Sequence, residues 1–301
     1  MRKDNIFDIR FTGGEVTQRP DWFPILKHAK DLGFSVSLNT NGVFSDSTVI
    51  DKLVSLDLEQ ITISIDGLKE THDFIRGKGN FERALQSLKE LHKGGANLRI
   101  NTLITRPLFK EAESLCELAS KYCTEINFFN TRLIGRAKKY LFNKILSFNE
   151  LARFNKFMDG IASKYPNLNI LYRETVTTYN SIKEHNQLGL DWGRCPAGLT
   201  RFVLISNGDL YGCGYFPYLK REDLKLGNIK EEGFTLLNVW RYSPNLNDFR
   251  EFNRKRTLEC LKKCSAYGIK CPGMCIADEL NRRNLSGGIN PYCFKKLKIN
   301  F

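Results

Sequence analysis

The first 175 residues alternate short apolar runs with segments of helical periodicity, and this alternation is the strongest constraint on the fold. Five of the apolar runs have the length and composition of strands: Phe7–Phe11, Phe34–Leu38, Gln60–Ile65, Leu98–Ile104 and Glu125–Phe129. Because helices that join strands favour right-handed crossovers, these strands are predicted to form one parallel sheet. The chain opens almost directly with a strand, so we expect an α/β fold of TIM-like type, a partial (β/α)6 barrel with its first βα unit missing.

The helical segments end at residues that commonly stop helices. The periodic positions of Trp22–Leu32 stop at Gly33, and those of Phe81–Leu91 stop shortly before Gly94. Glycine is the preferred residue just past a helix end, so both segments are predicted helices.

A change of pattern near residue 190 indicates a second domain. Helical periodicity fades there, and seven of the nine cysteines lie in the last 107 residues. Two strand-like runs, Arg201–Ile205 and Leu210–Tyr215, flank Asn207-Gly208, a strong signal for a β-hairpin. We therefore predict a partial barrel at residues 1–175 and a small cysteine-rich domain with a hairpin at residues 190–301.

The clustered cysteines favour a metal site over disulfides, because the N-terminus carries no secretion signal. The seven residues are Cys195, Cys213, Cys260, Cys264, Cys271, Cys275 and Cys293. The first two bracket Gly208 in the pattern C-x12-G-x4-C, and the next four fall within 16 residues. Thiolates at this spacing suit iron–sulfur clusters or a zinc ribbon, and the spacing alone leaves both open.

The net charge of +13 is concentrated at the C-terminal end, where residues 250–301 hold 12 Lys/Arg against 4 Asp/Glu. This excess suits an acidic partner, or it compensates the negative charge of a cluster with four thiolate ligands. The basic residues form no single helical stripe and no nucleic-acid motif accompanies them, so no nucleic-acid partner is predicted. No run of 18 apolar residues occurs, so we expect no membrane span and a cytoplasmic location.

The cysteine pattern resembles the SPASM domain, the auxiliary-cluster module at the C-terminus of many radical SAM enzymes. The first part of the pattern fits fully, and the central part has one extra residue in each of its first two gaps. Leu226-Gly227-Asn228-Ile229 and Val239-Trp240 also resemble the linker of that domain. The resemblance covers about residues 190–301 and favours iron–sulfur clusters over zinc.

This resemblance implies two auxiliary [4Fe-4S] clusters. The ligands of the first would be Cys195, Cys213 and Cys275, and those of the second Cys260, Cys264, Cys271 and Cys293. Three cysteines leave the first cluster one ligand short. Asp191 or a bound substrate would complete it.

The N-terminal half resembles the radical SAM barrel at four strand ends. Thr12-Gly13-Gly14-Glu15 is similar to the GGE motif, which cradles the methionine amino group of S-adenosylmethionine (SAM), although Val16 replaces the usual proline. Three further strand ends match in order, at Thr40, Ser64 and Asn101. The resemblance implies that these three residues lie near SAM together with Thr12, Gly13, Gly14 and Glu15, with Ser64 closest to the ribose. Ligand sites of such barrels form at the carboxyl ends of strands.

Radical SAM enzymes hold their SAM-cleaving cluster with a CxxxCxxC motif that precedes GGE, whereas no cysteine precedes Cys116 here. We therefore expect a truncated chain that does not cleave SAM alone, or a degenerate partner that binds without cleaving. Cys116 shares an apolar helix face with Ala112 and Leu115, and both Cys116 and Cys123 are predicted core residues.

The function implied is that of a radical SAM/SPASM enzyme that abstracts a hydrogen atom from a peptide or protein side chain through the 5′-deoxyadenosyl radical. Its cofactors would be SAM and two auxiliary clusters, and its electron donor a flavodoxin or ferredoxin. Two other hypotheses remain open. One is a non-catalytic iron–sulfur protein that binds a partner or transfers electrons, and the other is a zinc-stabilised interaction protein.

Overall fold

A computed structural model describes residues 6–172, 196–263 and 275–282 of the chain. They divide into two compact units. The first unit holds the described residues up to Thr131 and those from Asn143 to residue 172, and the second holds Arg132–Phe142 and the described residues from 196 onward. The predicted domain boundary near residues 175–190 lies outside the described residues.

The first unit is built on six parallel strands. They are β1 (Asp8–Phe11), β2 (Ser35–Thr40), β3 (Gln60–Ser64), β4 (Leu98–Ile104), β5 (Glu125–Asn130) and β6 (Asn169–Leu171). Each strand pairs with the next one along the chain, so the order across the sheet is the order in the sequence. The predicted α/β class is confirmed, and all five predicted strands are present. The sequence analysis missed β6, because three residues are too few to show alternation.

Helices connect the strands in the expected crossover pattern. In the first unit these are α1 (Trp22–Asp31), α2 (Thr48–Ser55), α3 (Lys69–Arg76), α4 (Asn80–Lys93), α5 (Arg106–Tyr122) and α7 (Phe148–Ala162), while α6 (Arg136–Tyr140) belongs to the second unit. Helix α1 ends where the glycine signal places it: Gly33 has a φ of 80°, and Phe34 N–H donates to the Ala29 carbonyl at 3.2 Å. Ser147 and Glu150 form a capping box at the start of α7.

One face of the sheet is apolar and forms the core with these helices. Its central residues are at most 1% exposed: Val36, Leu38, Ile61, Ile63, Leu98, Ile100, Ile126 and Phe128. Leu26, Leu53, Leu88 and Leu115 from four helices belong to the same buried cluster. The helices thereby remove this face of the sheet from water, which is the main stabilising contribution to the unit.

The second unit contains a small antiparallel sheet of β7 (Val203–Leu204), β8 (Asp209–Tyr211) and β9 (Lys225–Asn228). Its other described helices are α8 (Leu236–Tyr242), α9 (Pro244–Lys263) and α10 (Ile276–Arg282). The predicted hairpin is confirmed as β7–β8. Gly208 has a φ of 95° in its turn, and Asn207 Oδ1 accepts a hydrogen bond from Asp209 N–H at 2.9 Å. Within the three described ranges, no helix has the length and apolar character needed to cross a membrane.

A buried carboxylate fixes the loop that follows β3. Asp66 is fully buried, and its two oxygens accept from Arg76 Nε at 2.5 Å and from Leu103 N–H at 2.9 Å. Its own N–H donates to Nδ1 of His72, which is also fully buried, at 3.1 Å. Because Nδ1 accepts this bond, the neutral His72 ring carries its proton on Nε2.

Burial lowers the pKa of His72, because desolvation disfavours the imidazolium ion. The unfolded chain therefore takes up a proton below about pH 6.5 while the folded chain does not, so stability should fall as the pH drops through that value. We expect the urea midpoint to fall further between about pH 7.5 and about pH 5.5 in the parent chain than in His72→Asn, which keeps an acceptor but does not titrate.

The matched control is His28→Asn, because His28 is exposed on α1. Its pH dependence should equal that of the parent chain. An unchanged pH dependence in His72→Asn would contradict the neutral, buried state assigned to this ring.

Candidate functional site

The second face of the six-stranded sheet is polar. Its polar residues include Arg10, Ser37, Asn39, Gln60, Thr62, Ser64, Arg99, Asn101, Glu125 and Asn127, and paired positions place them in continuous rows across β1–β5. At the carboxyl ends of β4 and β5, the same face carries the apolar register pair Leu103 and Phe129. Paired residues of neighbouring parallel strands point to the same side of a sheet. Parallel sheets are usually apolar on both faces, so a polar face indicates a ligand-binding surface of the barrel type.

The amino ends of β4 and β5 carry an ion pair on this face. The side chains of Arg99 and Glu125 are 15% and 13% exposed, and Nη2 of the arginine contacts Oε1 of the glutamate. Asn169 donates to the second oxygen of Glu125 at 2.7 Å. Arg99 and Glu125 therefore pair with each other in the row of Thr62, and Ser64 and Asn101 lie further toward the carboxyl ends of the same face.

The structure brings two of the predicted SAM residues together at the carboxyl ends. Ser64 and Asn101 are register neighbours on β3 and β4 and lie on the polar face. Thr40 pairs with Ile63 and lies on the opposite, apolar face, so it does not join them. Its hydroxyl instead donates to Glu15 Oε2 at 2.9 Å.

Glu15 is the centre of a hydrogen-bond cluster that connects two strand ends. Its Oε2 also accepts from Asn41 N–H at 2.7 Å, while Oε1 accepts from the N–H and the hydroxyl of Thr17 at 3.3 and 3.0 Å. The carboxylate therefore holds the loop after β1 against the end of β2, and it caps the 3-10 turn Val16–Gln18.

The two glycines before Glu15 leave open space beside the backbone. A Cβ built on Gly13 or Gly14 meets no heavy atom within 4 Å, and Gly13 has a φ of 154° that favours glycine. The Thr12-Gly13-Gly14 backbone is thus accessible at the carboxyl end of β1, as the GGE resemblance implies for a cradle.

Five buried polar atoms on the polar face lack a hydrogen-bond partner among the described residues. They are the acceptor oxygens Asn39 Oδ1, Thr62 Oγ1 and Asn101 Oδ1, together with Nε of Arg99 and Oε1 of Glu125, the last of which contacts the Arg99 guanidinium only as an ion pair. Asn39 and Thr62 are register neighbours, and Asn101 lies beside Ser64. Buried polar groups in proteins are nearly always satisfied, so these atoms fit a polar ligand or bound water on this face. The unpaired acceptor oxygens suit a cofactor that donates hydrogen bonds from hydroxyl and ammonium groups.

Two of the predicted cluster cysteines are described in the second unit, and one of them contacts a buried arginine. Cys213 follows β8, Cys275 precedes α10, neither forms a disulfide, and both pack against the same hydrophobic cluster. Arg132 Nε donates to Cys275 Sγ at 3.1 Å. A guanidinium beside a half-buried sulfur fits a thiolate ligand of an anionic cluster.

The other predicted ligands cannot be placed in the same way. Cys195, Cys264, Cys271 and Cys293 lie outside the described residues, as do Asp191 and the side chain of Cys260, whose backbone is part of α9. Their assignment to two clusters stays a prediction.

Of the two remaining cysteines, Cys116 is a core residue as predicted, and Cys123 is partly buried against the same core. Cys116 is fully buried on α5 together with Ala112 and Leu115, and Cys123 packs at the end of that helix. Burial raises the pKa of each thiol to about 12, so both stay protonated at neutral pH. Protonated, buried thiols are poor metal ligands.

The sequence analysis missed Thr62 and Arg132, and it quoted Asn39 only as part of a strand end. Thr62 stands two residues before Ser64 and therefore shares its face. Asn39 stands one residue before Thr40 and therefore lies on the face opposite to Thr40. Applying the two-residue period to each strand would have placed both on the polar face. No sequence signal marked Arg132, because its partner Cys275 is 143 residues further along the chain.

Substitution of Glu15 tests the cluster between the two strand ends. In Glu15→Gln one oxygen becomes an NH2 group, which cannot accept from Thr40 and Asn41 or from Thr17. We expect amide exchange at Asn41 or Thr17 to become about tenfold faster by hydrogen-exchange mass spectrometry. Glu59→Gln, at an exposed position, should leave exchange in these segments unchanged. Full protection in Glu15→Gln would show that the carboxylate does not hold the loop.

Two protein families match the chain over separate segments. The radical SAM superfamily matches residues 2–119, and the SPASM iron–sulfur cluster-binding domain matches residues 195–271. Together the two segments span more than half of the chain. Both lie within the regions in which the sequence resemblances were found, and the SPASM match ends at Cys271, before Cys275 and Cys293.

Curated relatives align over most of the chain. Mycofactocin maturase MftC of Mycobacterium tuberculosis is 27% identical over 97% of this chain and 72% of its own length. The AdoMet-dependent heme synthase of Methanosarcina barkeri is 29% identical over 87% of this chain and 75% of its own length.

Solved structures share the fold at lower identity. The anSMEcpe structure with bound AdoMet aligns with a TM-score of 0.73 and 20% identity over 98% of this chain and 82% of its own. Streptococcus suis SuiB bound to S-adenosylmethionine aligns with a TM-score of 0.68 and 20% identity over 95% of this chain. This chain spans only 64% of the SuiB chain. By the two family matches, the chain combines a radical SAM superfamily segment at residues 2–119 with a SPASM iron–sulfur cluster-binding domain at residues 195–271.

Proposed function

We propose that this chain acts in a radical SAM/SPASM enzyme that modifies a peptide or protein side chain by hydrogen-atom abstraction. The observation that carries the proposal is the polar sheet face, which ends in Ser64 and Asn101 beside buried acceptor atoms without a described partner. A stable fold gains nothing from such atoms unless a ligand or water pairs with them.

The SAM site proposed here lies at the carboxyl ends of β1–β4. The accessible backbone of Thr12, Gly13 and Gly14 would receive the methionine end of SAM, and Ser64 and Asn101 would bind its ribose. Because the Glu15 carboxylate already accepts from Thr40, we give these two residues the role of holding the glycine loop in place.

The second unit would hold two auxiliary clusters. We propose Cys195, Cys213 and Cys275 for the first, with Asp191 or substrate as the remaining ligand, and Cys260, Cys264, Cys271 and Cys293 for the second. The auxiliary clusters would bind substrate or supply a path for electrons, whereas formation of the 5′-deoxyadenosyl radical from SAM would also need a cluster held by a CxxxCxxC motif. Clusters of this kind suit a reducing compartment, so we place the protein in the cytoplasm with a flavodoxin or ferredoxin as donor.

A peptide substrate is supported by the relatives. One of them bears the name mycofactocin maturase, and SuiB and anSMEcpe were each solved with a bound peptide. The heme synthases are about as similar in sequence, so a porphyrin is the competing substrate class.

The second candidate function is a non-catalytic iron–sulfur partner. It is favoured by the lack of a CxxxCxxC motif among the 301 residues, which also leads us to propose that this chain alone does not cleave SAM.

Iron and sulfide analysis tests the cluster assignment. After anaerobic reconstitution we expect about eight irons and about eight sulfides per chain, two four-iron clusters. Cys213→Ser and Cys275→Ser should each lower this to about four, because both residues are assigned to one cluster. Cys116→Ala, at a buried non-ligand position, should keep the full content. Stoichiometric zinc without sulfide would instead support the zinc-stabilised interaction protein.

SAM cleavage separates the enzyme from the non-catalytic partner. The reconstituted chain alone should form no 5′-deoxyadenosine. DNA upstream of Met1, translated in all three frames, should encode a CxxxCxxC motif, and the chain extended by it should form the product faster with a candidate peptide than with a porphyrin. Absence of the motif, or an extended chain that does not cleave SAM, would favour the partner role.

The same extended chain tests the SAM residues. Ser64→Ala should weaken SAM binding about five- to tenfold by equilibrium dialysis, the effect of losing one hydrogen bond of about 1 kcal/mol. Ser37→Ala is the matched control, because Ser37 lies on the same polar face at the level of Gln60, nearer the amino ends. Equal affinities of both variants would argue against a ribose contact at Ser64.

A further inference from the structure

Arg132 occupies an unusual position in the second unit. It follows β5 by two residues, and its side chain is only 9% exposed. Its guanidinium lies 5.0 Å from the ring centre of Tyr215, and Nη1 approaches the Tyr215 hydroxyl at 3.4 Å. Nε lies 3.1 Å from Cys275 Sγ and 3.5 Å from Asp278 Oδ2. A permanent cation is thus held at a sulfur that the cysteine pattern assigns to a cluster.

Two described groups lie close enough to Nε of Arg132 to compensate its charge, the Asp278 carboxylate and the Cys275 sulfur. A buried guanidinium is costly unless negative groups compensate it. Asp278 is a compensating carboxylate, and its separation of 3.5 Å from Nε is longer than an ideal charge-assisted hydrogen bond. The shorter contact goes to Cys275. A thiolate that ligates iron is a better acceptor for this N–H than a neutral thiol is.

The segment that carries Arg132 is hydrogen-bonded to α10, the helix that carries Asp278. The Leu133 carbonyl accepts from Asn281 Nδ2 at 3.0 Å, and Asn281 lies on α10 next to Asp278. Ile134 packs against the hydrophobic cluster that Cys213 and Cys275 also contact. Three successive residues thus anchor this segment, which keeps the guanidinium at Cys275 rather than free to move into water.

We propose that Arg132 sets the reduction potential of the auxiliary cluster held by Cys275, by donating a charge-assisted hydrogen bond to that ligand sulfur. The inference rests on the proposed function, since it requires a cluster at Cys275. Reduction by one electron adds one negative charge to a cluster. A cation in contact with a ligand sulfur stabilises the reduced form and raises the potential, because hydrogen bonds to sulfur and local charge both tune such clusters. Arg132 is therefore a positioning residue, not a catalytic one.

The competing explanation is that Arg132 only joins parts of the second unit by its contacts with Asp278 and Tyr215. Both explanations predict a loss of stability on substitution. They differ in the potential of one cluster, which a purely structural arginine would not change.

The experiment is a redox titration of the reconstituted chain with dithionite as electron donor. Electron paramagnetic resonance monitors the reduced fraction of each cluster. Iron and sulfide are counted for each variant. In Arg132→Gln we expect the ratio of reduced to oxidised cluster at a fixed potential to fall about tenfold for one cluster, equivalent to ~59 mV for a one-electron couple. The other cluster should keep its potential. Arg132→Lys keeps the charge without the planar fork and should give a smaller decrease.

Two further variants keep the test decisive. Arg250→Gln is the matched control, because Arg250 is a partly buried arginine of the second unit that also stacks on an aromatic ring, at 4.3 Å from the centre of Trp240. It should leave both potentials unchanged. Asp278→Asn removes a negative charge beside the guanidinium and should raise the potential of the cluster that Arg132→Gln lowers. This opposite shift can be measured even if Arg132→Gln fails to bind iron.

Unchanged potentials in Arg132→Gln and Asp278→Asn with full iron and sulfide would overturn the inference and leave the proposed function intact. An equal shift in Arg250→Gln, or in both clusters at once, would also overturn it, because the effect would then be global. A parent chain that binds zinc and no sulfide would remove the proposed function and this inference together.

Discussion

The pairing register of six parallel strands is the constraint on which the first unit depends. Side chains alternate between the two faces of every strand, so the register that aligns Leu38 with Ile61 also aligns Asn39 with Thr62. A shift by one residue would bring polar side chains under the helices and expose the apolar ones. Burial of the apolar face therefore fixes the polar rows of the other face. The polar face exists because the core specifies it.

Two carboxylates, the fully buried Asp66 and the partly buried Glu15, fix the loops at the ends of the strands. Glu15 connects the loop after β1 with the end of β2, and Asp66 connects the loop after β3 with Arg76 and with the backbone of β4. Each carboxylate accepts from donors on separate elements, and such charge-assisted bonds are strong where water is scarce. They hold the strand ends at which the proposed SAM site lies. Ordered strand ends in turn allow Ser64 and Asn101 to present their side chains in a fixed geometry.

In the second unit, burial and nearby charge affect the protonation state of cysteines. Its described core is small, and the cysteines Cys213 and Cys275 lie at the border of that core rather than inside it. Cys116 and Cys123 show the contrast, since burial raises the pKa of both to about 12 and keeps them as thiols. A cysteine that serves as a ligand must be deprotonated, and a nearby cation favours that state. Arg132 provides the cation, and it belongs to the second unit although Thr131 before it belongs to the first.

The sequence alone determined the α/β class, five of the six parallel strands, the β7–β8 hairpin, the buried Cys116 and the family resemblance, because these depend on local periodicity, turn residues and motif spacing. It also selected Ser64 and Asn101 as strand-end residues. Only the tertiary structure decided that Thr40 faces away from them and contacts Glu15, that Asn39 and Thr62 belong to the polar face, and that Arg132 meets Cys275. The physical reason is that strand register and long-range pairing bring together residues such as Glu15 and Thr40, 25 positions apart, and Arg132 and Cys275, 143 positions apart. The pattern along one strand or helix does not indicate which distant residue it will contact.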